Sequence, residues 1–265
     1  MSQRILLNQA TPEAWLTLLQ NHAAALALEW LDLIVDQAEL SPAWQNRITT
    51  LNKPVALLQD TPHEEAAEAG PVLLRVPLHV TDPQLLKLLQ QWHGQPRVMA
   101  LLSSWDFADL VNNCRLCLQA SWERGLKKGV LRYHDPRLFA AVVDTLDDDN
   151  RSLLLRPTRE WHWLDRDGNA RMQDTGKWQS PPPAIWLDET LPLQDSQVDA
   201  LANWHVAEQW RQNHLLSPEE FQLQSEEELM TRLAHAHQAA DKAKLWSEDA
   251  RLPFIEQFLC INQAY

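Results

Sequence analysis

Residues 97–139, RVMALLSSWDFADLVNNCRLCLQASWERGLKKGVLRYHDPRLF, read in succession as strand, helix, hairpin, strand and charged turn. Val98 to Leu102 is a short apolar run. Ser103, Ser104 and Asp106 supply N-cap chemistry for a helix in which Phe107, Leu110, Val111, Cys114 and Leu118 recur at helical spacing. Gly125 and Gly129 bracket a turn, and Val130-Leu131-Arg132-Tyr133 has strand composition. His134-Asp135-Pro136-Arg137 breaks that strand into a helix from Arg137 to Leu146, with Pro136 in its first turn.

Outward from this unit the pattern stays mixed. Thr11 caps a helix to Gln20, with Pro12 at the first helical position, and strands are expected near Glu29 to Val35, Val55 to Gln59 and Val72 to Val76. A helix from Pro83 to Trp92 buries Leu85, Leu86, Leu88, Leu89 and Trp92. Downstream, the helix ending at Leu146 runs into a solvated acidic end, Asp147-Asp148-Asp149-Asn150. Trp161 to Leu164 then enters Asp165-Arg166-Asp167-Gly168, a hairpin signal. The proline run Ser180-Pro181-Pro182-Pro183 marks a change of character. Beyond it, Ser217 to Glu220 and Ser225 to Glu228 are capping boxes, and Leu229, Leu233, Ala236 and Ala240 share one helical face. The expected architecture is α+β: a mixed β-sheet with flanking helices over residues 1–183, a linker at 184–196, and a smaller C-terminal helical lobe at 197–265.

With 265 residues and 45% hydrophobic composition, the chain can bury a proper core. A net charge of −13 argues against nucleic acid and against an anionic membrane surface as partners, since both need clustered Lys and Arg. From Leu191 onward, 12 acidic residues face 5 basic ones, so the helical part is strongly acidic. The opening MSQRILLNQATPEAW has no long apolar run, and Ala23 to Val35 is cut by Glu29 and Asp32, so a cytoplasmic protein is expected. Three cysteines make no disulfide framework. Six glycines, well under the average of about 7%, include no phosphate-cradling loop and no nucleophile elbow, and no cofactor is expected. Thirteen tryptophans are mostly core material, yet Trp is also enriched at interface centres. Trp204, Trp210 and Trp246 cannot all be buried by one helical stripe, which makes them candidate partner-binding residues.

The polar residues that stand out are Arg132, Asp135 and Arg137, two arginines flanking a carboxylate across a turn whose backbone Pro136 fixes. One reading is an ion-paired corner orienting strand against helix; the other is a docking surface for a partner's acidic group. Arg115, on the preceding helix, is a candidate to join that network. Other constellations carry less. Cys114 and Cys117 have half-site spacing but no second ligand pair, and read as core. Asp165, Asp167 and Asn169 imitate the start of a calcium loop, but Ala170 stands at its glycine position and Gly176 where the bidentate acid belongs. His134-Asp135 lacks a recognisable nucleophile. No catalytic or metal-ligating residue is assigned.

The serine-led helix, Arg115 within it and the closing RYHDPRLF of residues 132–139 resemble the effector-adaptor chaperone family of bacterial type VI secretion systems. LDLIVDQA at 31–38 resembles that family's early strand ending in an acidic residue, and AGPVLLRV at 69–76 its second landmark. Here Arg124 to Gly129 replaces the family's Asp-Gly turn, and Arg132 replaces its usual aromatic before Tyr133. The resemblance implies a cytoplasmic, non-enzymatic adaptor that binds one effector toxin and hands it to the valine-glycine-repeat spike protein VgrG, with Arg115, Arg132, Tyr133, Asp135, Pro136 and Arg137 as structural or docking residues. The rival readings are a hydrolase using His134 and Asp135, and an immunity protein that neutralises a toxin.

Overall fold

The computed structural model describes residues 2–78, 83–181 and 190–261. Its first elements are β1 (Ser2–Leu7), α1 (Pro12–Ala25), β2 (Trp30–Asp36), α2 (Pro42–Leu51), β3 (Val55–Ala56), β4 (Pro71–Pro77), α3 (Pro83–Gln91), β5 (Val98–Leu102) and α4 (Phe107–Leu118). They are followed by β6 (Gln119–Trp122), β7 (Lys127–Val130), α5 (Phe139–Thr145), α6 (Asp148–Leu155), β8 (Glu160–Leu164), β9 (Ala170–Asp174), β10 (Leu191–Pro192), α7 (Asp195–His214), α8 (Glu226–Lys242) and α9 (Glu248–Ile261). The fold is α+β, and two compact units divide at Pro192.

The first unit is built on a seven-stranded sheet in the order β1-β9-β8-β5-β2-β4-β3, with every pairing antiparallel. A small second sheet, β10-β6-β7, supplies the one parallel pairing among the described strands, β10 on β6. Alternation along the strands sends their side chains to two cores. Leu31, Leu33, Val35, Val72, Leu74, Val76, Ala100 and Leu102 join Trp15, Leu16 and Leu19 of α1 and Leu85, Leu88 and Leu89 of α3. The odd-numbered tryptophans of β8, Trp161 and Trp163, point the other way, where Phe139 stacks on Trp161 at 4.9 Å and Tyr133 meets it edge-on at 5.9 Å. Both faces of the sheet are covered, which is why β2, β4 and β5 are apolar runs with few alternating polar positions.

Several local expectations change. Strand β7 ends at Val130, because its partner β6 is only four residues long, so Leu131 to Tyr133 leave the ladder. The hairpin nevertheless closes without Asp-Gly: Glu123, Arg124 and Gly125 all take positive φ. Gly129 lies against the Trp122 ring, where a Cβ would come within 3.2 Å. Helix α5 begins at Phe139 rather than Arg137, since Asp135 turns its side chain back on the Arg137 backbone N–H (3.0 Å) before the helix can start. The triple Asp is the start of a helix and not the end of one. Asp147 caps α6 by accepting from Asn150 N (2.9 Å), and Asp148 and Asp149 occupy the first turn, where acidic charge favours the helix dipole. At the head of α4, Asp106 is in the N-cap position but makes no side-chain cap bond; Ser103 Oγ accepts from Trp105 N instead. Ser217 opens a 3-10 turn without capping it, whereas Ser225 caps α8 by accepting from Glu228 N. Of the expected linker 184–196, residues 184–189 lie outside the described ones; the rest holds β10 and the first residues of α7.

The second unit is helical. Leu229, Met230, Leu233 and Ala236 of α8 pack with Trp210 of α7, Phe221, and Ile255 and Leu259 of α9. No helix among the described residues is long and apolar enough to cross a membrane.

Candidate functional site

The turn between β7 and α5 folds back on itself because a carboxylate sits at its centre. Asp135 is 1% exposed and accepts four hydrogen bonds: from Arg137 N (3.0 Å), Arg137 Nε (3.1 Å), Arg137 Nη2 (2.8 Å) and Arg132 Nη2 (3.2 Å). Burial pushes this carboxyl up, but the hydrogen bonds and charge of Arg137, its backbone N–H and the Arg132 charge together hold it below the usual carboxylate range. The carbonyl of Asp135 also accepts from Leu138 N and Phe139 N, so one residue ties both ends of the turn to the first turn of α5. Arg166, from the β8–β9 turn, donates to the Arg137 carbonyl at 3.1 Å. Pro136 sits inside this turn, three residues before the helix.

Arg132 reaches a second acid. Its Nη2 lies 3.9 Å from Asp36 at the end of β2, and His134 Nε2 is 4.0 Å from the same Asp36 oxygen. Burial pushes His134 down to about 4, with Asp36 pulling the other way and Arg132 reinforcing the drop. At neutral pH His134 is therefore a buried neutral imidazole. Tyr133 is fully buried, donates its hydroxyl proton to the Cys114 carbonyl of α4 (2.9 Å), and is pushed up by burial. Within RYHDPR, Tyr133 and His134 point inward, Asp135 into its own turn, and Arg132 partly into solvent.

Arg115 does not join this network. Its guanidinium bonds Asp60 Oδ2 (3.2 Å) and the Ala56 carbonyl (3.1 Å), joining α4 to the chain just after β3. The reason is position on the helix: the Tyr133 hydroxyl docks on the carbonyl of Cys114, and the next residue along α4 leaves at a different angle. Cys114 and Cys117 are buried free thiols, and burial pushes Cys114 up to about 12, far from the thiolate a ligand or nucleophile would need. Asp165 accepts from Asp167 N, Asn169 N, Asn169 Nδ2 and Arg171 Nε, so its carboxylate is committed to the hairpin.

The three tryptophans of the helical unit separate. Trp210 is 8% exposed, stacked on His214 at 4.3 Å and edge-on to His237; it is a core ring and not a surface one. Trp204 is partly buried against the same core. Trp246, in the turn between α8 and α9, is 71% exposed. A 3.3 Å contact of His214 Nε2 with Glu248 ties this turn to the end of α7, whose next residue, Leu215, is 83% exposed.

Sequence reasoning missed Asp60, and it missed the buried pair of Asp32 with Arg75, whose members lie 43 residues apart and carry no local pattern. Asp36 stood in the sequence only as the acid ending an early strand.

No curated protein and no solved structure matches the chain. A family model described as "Domain of unknown function (DUF4123)" matches residues 33–153, a span running from β2 through α6 that holds Asp36, Arg115 and the whole Asp135 turn. That family is associated with type VI secretion effectors.

Proposed function

We propose that the protein is a stoichiometric adaptor that binds one effector toxin in the cytoplasm and delivers it to the valine-glycine-repeat spike protein of a type VI secretion apparatus, without catalysing a reaction. The observation that carries the reading is the family match over residues 33–153, which takes in every residue of the RYHDPR turn. The chemistry of that turn supports it. His134 is buried and pushed down to about 4, too weak a base for proton transfer near neutral pH, and Asp135 has spent its oxygens on arginines. A hydrolase built on that pair would need both groups free toward a substrate. Trp246 and Leu215, exposed apolar side chains on an acidic helical unit, suit contact with another protein.

The test is export. Deleting the gene should abolish secretion of one toxin while the apparatus still fires and other cargoes still leave. The isosteric His134→Gln protein should restore export, because no step moves a proton through it. Trp246→Ser should leave the melting curve unchanged and weaken capture of the toxin or of the spike. Loss of export in His134→Gln with both partners still bound would return the protein to the enzymes.

A further inference from the structure

The first unit holds a cluster outside the Asp135 turn and outside the family-matched span. Glu160 and His162 are two apart on β8 and so project from the same face of the sheet. His22, in the last turn of α1, packs onto that face. His22 Nδ1 and His162 Nε2 each lie 2.8 Å from the same oxygen, Glu160 Oε2, and the two rings meet edge-on at 5.2 Å. The three donor atoms lie within 4.8 Å of one another. We propose that His22, Glu160 and His162 form a zinc site that clips the end of α1 to β8, with a fourth position open to water.

The donor set is one that zinc accepts: two imidazole nitrogens and one carboxylate oxygen leave a coordination position free. A tetrahedral zinc with bonds of about 2.0 to 2.2 Å sets its ligands roughly 3.3 Å apart, so the two nitrogen–oxygen separations, 2.8 Å each, need to open by about half an ångström. Zinc on His162 Nε2 puts the ring proton on Nδ1, a buried atom with no hydrogen-bond partner among the described residues, so no existing hydrogen bond of Nδ1 is broken. Access comes from the His22 side, whose side chain is 28% exposed while Glu160 and His162 form the buried wall.

Titration of the EDTA-stripped full chain with zinc chloride alone, followed calorimetrically, tests this. One equivalent should bind and the melting temperature should rise. His22→Ala, on the exposed side, should keep the circular dichroism spectrum and lose affinity by more than the roughly 10- to 100-fold that removing a mere outer-shell partner costs. Glu160→Gln should lose it as well, and His235→Ala, on an exposed position of α8, should bind as the parent does. Absence of saturable one-to-one binding below millimolar zinc, or parental affinity in both His22→Ala and Glu160→Gln, would overturn the site and leave the cluster a hydrogen-bonded corner.

Discussion

Asp32 and Asp135 are both aspartates with almost fully buried side chains, and each is gripped by an arginine through two side-chain hydrogen bonds, yet their protons behave oppositely. Asp32, on β2, takes Arg75 Nε at 2.7 Å and Nη2 at 2.9 Å, and burial still pushes it up to about 6. Asp135 is held below its ordinary value. The difference is the number of donors. Asp135 adds a backbone N–H and a second arginine to its bidentate partner, and four hydrogen bonds outweigh the cost of leaving water where two do not. Arg75 is also shared: it donates to the Trp105 carbonyl and lies over the Trp30 and Phe107 rings. A buried pair is thus stabilising or nearly neutral according to how completely the carboxylate is satisfied, and the motif-borne acid is the satisfied one.

Removing Asp135 is the strongest way to break that contrast. Asp135→Ala leaves two guanidinium groups and an N–H turned toward an empty centre, and should cost at least about 3 kcal/mol, read by urea unfolding. An unchanged midpoint with lost partner binding would make the turn a docking site instead.

Acid gives the next largest effect. His134 titrates near 4 in the folded chain against 6.5 in the unfolded one, so its contribution is complete above pH 6.5 and is lost as pH falls toward 4. By pH 5 the loss should be on the order of 2 kcal/mol, and His134→Gln should remove it. Buried His237, also lowered to about 4, acts in the same window; Asp32 acts against them, since its raised value adds stability as pH falls from about 6 toward 3.8. A stability curve flat from pH 7 to 5 in the parent, unaltered in His134→Gln, would contradict the burial of that ring.

Asp32→Asn sharpens the comparison from the other side. Because Asp32 keeps its charge at a cost, the isosteric amide should change stability at pH 7 by less than about 1 kcal/mol. It should also abolish the gain that Asp32 contributes on acidification. A loss as large as that of Asp135→Ala would mean the two carboxylates are equivalent and the donor count immaterial.

Periodicity alone placed the heavier elements. Val98 to Leu102 is β5, the stripe beginning at Phe107 is α4, and the Asp-Gly turn after Leu164 joins β8 to β9, because each is decided by contacts within a few residues. The edge strand β1 and the short helix α6 escaped: β1 is a strand only because β9, at Ala170–Asp174, pairs with it, and α6 starts on acids that also suit a helix's solvated end. The Asp135 corner was legible because arginine, aspartate and proline sit within six residues, so the turn's own chemistry names its partners. The direction of Arg115, the retreat of Trp210 into the core, the Asp32–Arg75 pair and the meeting of His22 with Glu160 and His162 were decided only when distant elements packed. Local hydrogen bonding and side-chain period are written along the chain; which charge is buried beside which, and how fully it is satisfied, depends on residues that approach only when the sheet and its helices close around them.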